Sequence, residues 1–260
     1  MTRAFELLER MADAGGEVSL SDLSAATGLP MPTIHRLVRT LVAEGYVRQV
    51  PSRRYALGPR LIRLGETASR LVGSWARPYL AGLVDAIGET ANMATLDGDE
   101  VVYVAQAPSR HSMRMFTEVG RRVLPHCTAV GKALLAQFPP AEVDAILARS
   151  GLPAQTPHTI TDAAQLHVQL KAVRTHGYAT DEGEQELGVR CVAVPVAGAP
   201  TPLAISVSGP EGRLSEDARE RIVPVLTRTA ELLTHALAAP GGPAAPGAAR
   251  HPGGTRADPR

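Results

Sequence analysis

The sequence predicts an α+β protein in two parts: a small head of short helices closed by a hairpin, then a larger antiparallel sheet covered by helices. Three observations carry that expectation. Residues 19–58, SLSDLSAATGLPMPTIHRLVRTLVAEGYVRQVPSRRYALG, show helical apolar spacing across a glycine turn and end on two β-prone runs. After residue 88 the apolar period switches to two on either side of Asp97-Gly98, a strong hairpin signal. Helical and strand-like runs then interleave without strict βαβ alternation, which favours an antiparallel sheet.

Taken in order, residues 4–11 set Phe5, Leu8 and Met11 on one helical stripe flanked by Ala4 and Leu7, and Gly15-Gly16 ends it. Ser19 or Ser21 can cap the next helix, whose apolar side is Leu20, Leu23 and Ala26; Gly28 supplies the turn. Pro32 suits the first turn of a third helix, with Ile34, Leu37, Val38 and Leu41 inward and Thr33, His35, Arg36, Arg39 and Thr40 outward. Gly45 stops it, and 46–47 pairs with 55–57 around a tip at 51–54. Leu61, Leu64, Ala68 and Leu71 mark a connector helix; another helix runs to Ile87, broken near Pro78 and closed by Gly88. Strands are expected at 92–96, 100–106, 178–181, 189–196 and 203–207, and helices at 129–137, 141–149, 162–176 and 215–237. Residues 241–260, GGPAAPGAARHPGGTRADPR, cannot bury a core and are expected to be disordered.

A chain of 260 residues fits two domains. Only 3% of it is aromatic, so its core must be aliphatic. Positive charge is nearly all arginine, Lys132 and Lys171 being the only lysines. A net charge of +1 argues against a histone-like binder, yet residues 1–65 hold nine arginines against six acids. That is the modest footprint of a DNA head that gains affinity by dimerising. Cys127 and Cys191 form no CxxC, so neither a disulfide framework nor a zinc knuckle is suggested. The N-terminus is an amphipathic helix carrying acids, unlike a signal peptide, and no run approaches the ~18 apolar residues of a membrane span. The expectation is a soluble cytoplasmic protein without metal or cofactor.

Helix, turn, helix and basic wing in this order describe a winged helix-turn-helix, whose second helix fits the DNA major groove. Arginine can grip guanine O6 and N7, while Thr33 and a helix N-terminus suit phosphate. Arg53 and Arg54 at the wing tip could reach the backbone or minor groove. The candidate DNA contacts are Ser21, Thr33, His35, Arg36, Arg39, Arg53 and Arg54. The bland alternative is a set of solvated arginines on a protein-binding scaffold.

LSDLSAATGLPMPTIHRLVRTLVAEGYV followed by RRYALGPRLIRLG resembles the IclR family of bacterial transcription regulators. The likeness continues through LPHCTAVGKALLA, HGYATDEGEQELGVRCVAVPV and LAISVSGPEGRLS, covering about residues 3–237. It implies a winged-helix domain at 1–58, a linker helix at 59–75, a GAF-like effector-binding domain at 76–238 and a tail at 239–260. It further implies a dimer or tetramer, a palindromic double-stranded operator and a small carboxylate effector.

Carried over residue by residue, the resemblance puts that acid on the backbone N–H groups of Ala129 and Val130, on polar Asp181, Cys191, Ser206 and Ser208, and on apolar Met115 and Val123. A helix N-terminus attracts carboxylate independently of family, and Ser206 and Ser208, two apart on a strand, share a face. Taken singly, Ser206 and Ser208 could face solvent, Asp181 could sit in a surface turn and Cys191 in the core. Ser112 departs from a usually apolar wall position, and Ala129-Val130 replaces the Gly-Ala pair of glyoxylate-binding relatives. Residues 109–127 resemble the branch controlling allantoin and glyoxylate metabolism. The family reading favours a repressor, with an activator of aromatic-acid or other catabolic genes as the alternative.

An enzyme is the distant rival. His126-Cys127 could offer a thiol nucleophile, but residues adjacent in sequence rarely meet as base and nucleophile. AVGKA lacks the upstream glycine of a phosphate loop. His111, His126, Cys127 and Cys191 are zinc-capable types, but no ligand spacing supports a site.

Overall fold

The structure, a computed structural model, describes residues 2–15, 17–112, 118–199 and 201–239. The chain divides into two compact units, Met1–Ala68 and Ser69–Arg260.

In the first unit, α1 (Thr2–Asp13), α2 (Leu20–Thr27) and α3 (Met31–Ala43) precede a hairpin of β1 (Val47–Gln49) and β2 (Tyr55–Leu57), and α4 (Arg60–Val72) follows. Leu7, Met11, Leu23, Ile34, Val38, Leu41 and Val47 form its core. The stripe of α1 is corrected: Ala4, Leu7, Leu8 and Met11 turn inward while Phe5 is 61% exposed. Positions 4, 7, 8 and 11 follow helical spacing, and residue 5 falls about 100° off it. Ala26 is likewise exposed, and Leu20 and Leu23 carry the packing of α2.

Of the two serines, Ser19 is the cap. Its hydroxyl accepts from the Asp22 N–H at 3.1 Å, and the Asp22 carboxylate accepts from the Ser19 N–H at 3.0 Å. This reciprocal box satisfies donors that would otherwise be orphaned at the helix start. Gly28, at φ 66°, closes α2 in the left-handed region that glycine adopts without strain. The hairpin gains a third edge that the sequence did not announce, because Val18 pairs with Tyr55 through two backbone bonds.

In the second unit, a 3-10 turn (Ser74–Ala76) leads into α5 (Arg77–Ile87). Pro78 lies in the first turn of α5 and does not break a helix, since a first-turn proline gives up no internal hydrogen bond. The sheet comprises β3 (Thr90–Asp97), β4 (Glu100–Ala107), β5 (Arg122–Val123), β6 (Ala179–Glu182), β7 (Val189–Pro195) and β8 (Leu203–Pro210). Its order is β5-β4-β3-β8-β7-β6, antiparallel throughout.

One sheet face packs with α5 and α9 (Glu216–Ala238), through Leu80, Leu83, Met93, Val194, Ile205, Ile222 and Leu226. The other receives the short helix α6 (Ala129–Leu135) over Ala94, Val101, Tyr103, Ala193 and Ala204. Helices α7 (Pro140–Ser150) and α8 (Ala163–His176) join Leu135 in a further cluster. The small alanines let α6 approach the sheet closely, which sets up the site described next.

Gly131 marks how close that approach is. A Cβ there would lie 2.2 Å from the Pro125 carbonyl oxygen, against backbone that cannot yield cheaply. Gly131→Ala is therefore expected to cost about 3 kcal/mol. Gly82→Ala, which meets nothing within 4 Å in α5, should instead stabilise by up to about 1 kcal/mol. Chemical denaturation of the full chain measures both, and equal midpoints for the two variants would contradict the close packing of α6.

Candidate functional site

The outer face of α3 presents His35, Arg36 and Arg39 to solvent, with Thr33 half-buried at its first turn. No side-chain hydrogen bond or ion pair occupies these groups among the described residues. The wing is less uniform. Arg53 sits at φ 61°, without a side-chain partner among the described residues. Arg54 instead donates to the Glu17 carbonyl at 2.6 Å and lies 3.6 Å from the Asp22 carboxylate, so its charge is partly spent inside the head. Ser21 is exposed, its hydroxyl 2.7 Å from that of Ser19.

The second constellation lies between α6 and the sheet. Here a cavity of about 20 Å³ is lined by Tyr103, Thr128, Ala129, Val130, Cys191, Ser206 and others from the turn after β6. That volume holds about one water. The Thr128 hydroxyl caps α6 by accepting the Gly131 N–H at 3.1 Å, and its carbonyl takes the Lys132 N–H at 3.0 Å. The N–H groups of Ala129 and Val130 have no acceptor among the described residues, as expected for the first turn of a helix.

Ser208 accepts from Asn92 Nδ2 at 3.4 Å and from the Cys191 thiol at 3.1 Å. With its acceptor role used, its hydroxyl proton remains to be donated. Ser206, also buried, lines the same cavity.

Beneath the pocket lies a buried ion pair. Lys132 Nζ, on α6, is 2.5 Å from Glu184 Oε1 and donates to Gln169 Oε1 at 2.9 Å. The Glu184 N–H donates to Asp181 Oδ1 at 2.7 Å. Asp181 is 2% exposed, and burial above all pushes its carboxyl up to about 7, with the Glu184 charge adding and its hydrogen bond and Lys132 opposing. Burial also raises the Cys127 thiol to about 12 and lifts the Cys191 thiol and the Tyr103 hydroxyl above their ordinary ranges. The two thiols and the tyrosine hydroxyl stay protonated at neutral pH and can serve as hydrogen-bond donors.

The arrangement offers no nucleophile. Cys127 points its thiol at Gln185 Oε1, 3.0 Å away, whereas His126 Nε2 meets the Pro153 carbonyl at 3.1 Å. Burial lowers the His126 pKa, so the imidazole is neutral and does not favour a thiolate. His111 lies 4.0 Å from Glu89, and Cys191 bonds Ser208, so the zinc-capable side chains engage separate partners.

Ala129, Val130, Asp181, Cys191, Ser206 and Ser208 thus come together around one cavity. Val123 packs in the same apolar cluster as Tyr103 and Val130 but does not line the cavity, because its short strand pairs at the sheet edge. Met115 lies outside the described residues, and Ser112 is exposed. Sequence reasoning missed Tyr103, Thr128, Gln185, Glu186 and Val189. Tyr103 carried no signal, whereas Thr128 adjoins Ala129 and the other three stand between Asp181 and Cys191 in sequence.

Comparison with known proteins agrees with this division. Residues 1–51 match the IclR helix-turn-helix domain, and residues 67–235 match the bacterial transcriptional regulator IclR C-terminal domain. The chain is 36% identical over 224 residues to the transcriptional repressor IclR of Escherichia coli K12, covering 84% of this chain and 82% of that protein. A solved transcriptional regulator from Rhodococcus sp. RHA1 superposes with a TM-score of 0.76 at 32% identity, covering 91% and 97% of the two chains. An IclR homologue from Microbacterium hydrocarbonoxydans, solved in complex with 4-hydroxybenzoate, gives 0.71 at 26% identity, covering 87% and 95%.

The raised Asp181 pKa has a thermodynamic consequence. Between about pH 4, where an unfolded aspartate titrates, and about 7, the folded state holds a proton that the unfolded state releases. The associated stability is complete below the unfolded value and is lost as pH rises through the folded one. Asp181→Asn removes this loss, so relative to the native protein it should gain about 2–4 kcal/mol between pH 4 and pH 8. Urea denaturation of both proteins at several pH values measures the difference. A constant difference would place Asp181 outside the buried, proton-holding role.

Proposed function

The chain belongs to the IclR family of bacterial transcriptional regulators, and from that premise we propose that it is a cytoplasmic repressor released from a palindromic operator by a small carboxylate. One observation carries the effector half of the reading. A single small cavity gathers the Ala129 and Val130 N–H groups, the Ser206 and Ser208 hydroxyls and the protonatable Asp181 beside Glu186, and among the described residues no cation lines it. Such a set complements an anion through dipoles and hydrogen bonds.

For the DNA half, α3 enters the major groove, where Arg36 and Arg39 read guanine and His35 contacts a neighbouring base edge. Thr33 and Ser21 hold phosphates, and Arg53 touches the backbone beside the wing; Arg54 would first have to leave Glu17. Exposed apolar side chains on the head, Phe5 of α1 and Ile62 and Leu64 of α4, support self-association as a dimer or tetramer. A two-fold assembly reads a two-fold operator. The effector must bind the released arrangement more tightly than the DNA-bound one, since equal affinity would shift nothing.

An activator responsive to aromatic acids is the second reading, favoured by the 4-hydroxybenzoate complex of the Microbacterium homologue. The volume of this cavity weighs against it.

Paired substitutions test the scheme. Arg36→Ala should weaken binding to a duplex from the chain's own promoter region by about 1–3 kcal/mol while leaving effector-induced thermal stabilisation intact. Asp181→Ala should bind the duplex as the native protein does and no longer be released by the acid. An unchanged gel-shift midpoint would remove Arg36 from the reading surface, and normal release would displace Asp181 from the pocket.

A further inference from the structure

The largest side chain on the cavity wall is Tyr103, and the way β4 delivers it is unusual. Met93 of β3 pairs with Ala105, but the next residue, Ala94, pairs with Tyr103, leaving Val104 as a bulge. A bulge resets the alternation of faces. Val104 and Ala105 therefore both join the core beside α5 and α9, while Tyr103 joins the cluster under α6. Gln106, the next residue on the cavity side of the bulge, donates to Asn92 Oδ1 at 3.1 Å, and Asn92 in turn holds Ser208. One irregularity thus places both an aromatic wall and the support of Ser208.

The backbone of Tyr103 is pinned on its other side. Its N–H donates to the Arg121 carbonyl at 3.1 Å, and its carbonyl accepts the Gly120 N–H at 2.7 Å. The residue is 8% exposed, yet its hydroxyl has no hydrogen-bond partner among the described residues. Burial keeps that hydroxyl protonated at neutral pH. A hydroxyl held at a cavity wall with its proton uncommitted is available to whatever accepts from it.

We propose that Tyr103 is the specificity-determining residue of this pocket: its ring sets the length of acid admitted, and its hydroxyl donates to an oxygen of the bound acid. This rests on the effector reading of the preceding subsection. The remaining side chains from the sheet and α6 that line the cavity, among them Thr128, Val130, Asp181, Cys191, Ser206 and Ser208, are all much smaller than tyrosine, so the ring is where space for a longer ligand is taken up. Any acid exceeds the room of one water, so an acid of two or three carbons demands the least displacement of the wall, and a benzoate-sized acid needs the space that the ring occupies.

Isothermal titration of the full chain with glyoxylate, pyruvate and 4-hydroxybenzoate tests the assignment. The native protein should bind glyoxylate or pyruvate and discriminate against 4-hydroxybenzoate by at least about tenfold. Tyr103→Phe keeps the ring and loses the donor, so binding of the small acid should weaken about tenfold or more with the discrimination retained. Tyr103→Val opens the wall and should move the preference toward 4-hydroxybenzoate by a similar factor. If Tyr103→Phe binds the small acid as the native protein does while Asp181→Ala abolishes binding, the pocket stands and the role of Tyr103 is overturned. Native protein that binds 4-hydroxybenzoate as well as the small acids overturns the ruler alone. Failure to bind any of the three overturns both.

Discussion

Lys132 and Glu184 are brought together across 52 positions of sequence and buried almost completely, at 1% and 6% side-chain exposure. Four segments meet there. Lys132 belongs to α6 and Gln169, its second acceptor, to α8. The carbonyl of Glu184 receives the hydroxyls of Thr156 and Thr159 from the loop before α8, and its N–H holds Asp181 at the end of β6. Moving either charge into this interior is costly, and removing one partner alone would strand the other at about 3–5 kcal/mol. The pair is consequently a strong constraint on geometry, whatever its net contribution to stability. It holds the start of α6 opposite Asp181, which is the separation the cavity requires.

The same pair explains why Lys132 brings no free charge to the pocket. Lys132 stands close enough to influence the titration of Asp181, but its ammonium is committed to Glu184 and Gln169. Among the described residues, what faces the cavity is a set of backbone N–H, hydroxyl and thiol donors beside the carboxyls of Asp181 and Glu186. An arginine there would grip a carboxylate in two-point fashion and hold it tightly. Dipoles and hydroxyls bind an anion more weakly, and weak, reversible capture is what the proposed effector role requires. Asp181 adds a sign to this: protonated it donates to an anion, whereas ionised it repels one.

The head was legible in the sequence because each of its decisions is local. Ser19 and Asp22 make their cap three residues apart, Gly28 ends the helix it follows, and the tip between β1 and β2 is marked by its own turn residues. Phe5 was misassigned because a helical stripe read from apolar residues alone admits two neighbouring phases, and only packing against Leu23 and Val38 selects one. In the second unit the Asp97-Gly98 hairpin and the shared face of Ser206 and Ser208 were also local facts. The bulge at Val104 was not, since a valine-rich strand carries no mark of where its register slips. Tyr103 and the Lys132–Glu184 contact escaped for that reason: their partners are chosen by the sheet and not by neighbours in the chain.

The small volume of the cavity bears on how binding could be transmitted. An acid of several heavy atoms needs more than the space of one water, so part of the wall must give. The sheet and α6 are poor candidates: Ser206 and Ser208 lie in a central strand, and Gly131 already touches the Pro125 backbone. The turn between β6 and β7 is the remaining wall. It contributes Gln185 and Glu186 to the cavity and is bracketed by Gly183 and Gly188, both at positive φ. It is also the segment held by Thr156, Thr159 and Lys132. Filling the pocket therefore works directly against the contacts that join this turn to α6 and to the loop before α8. A ligand that rearranges those contacts has different free energies in the two arrangements, which is the condition for any coupling to a second site.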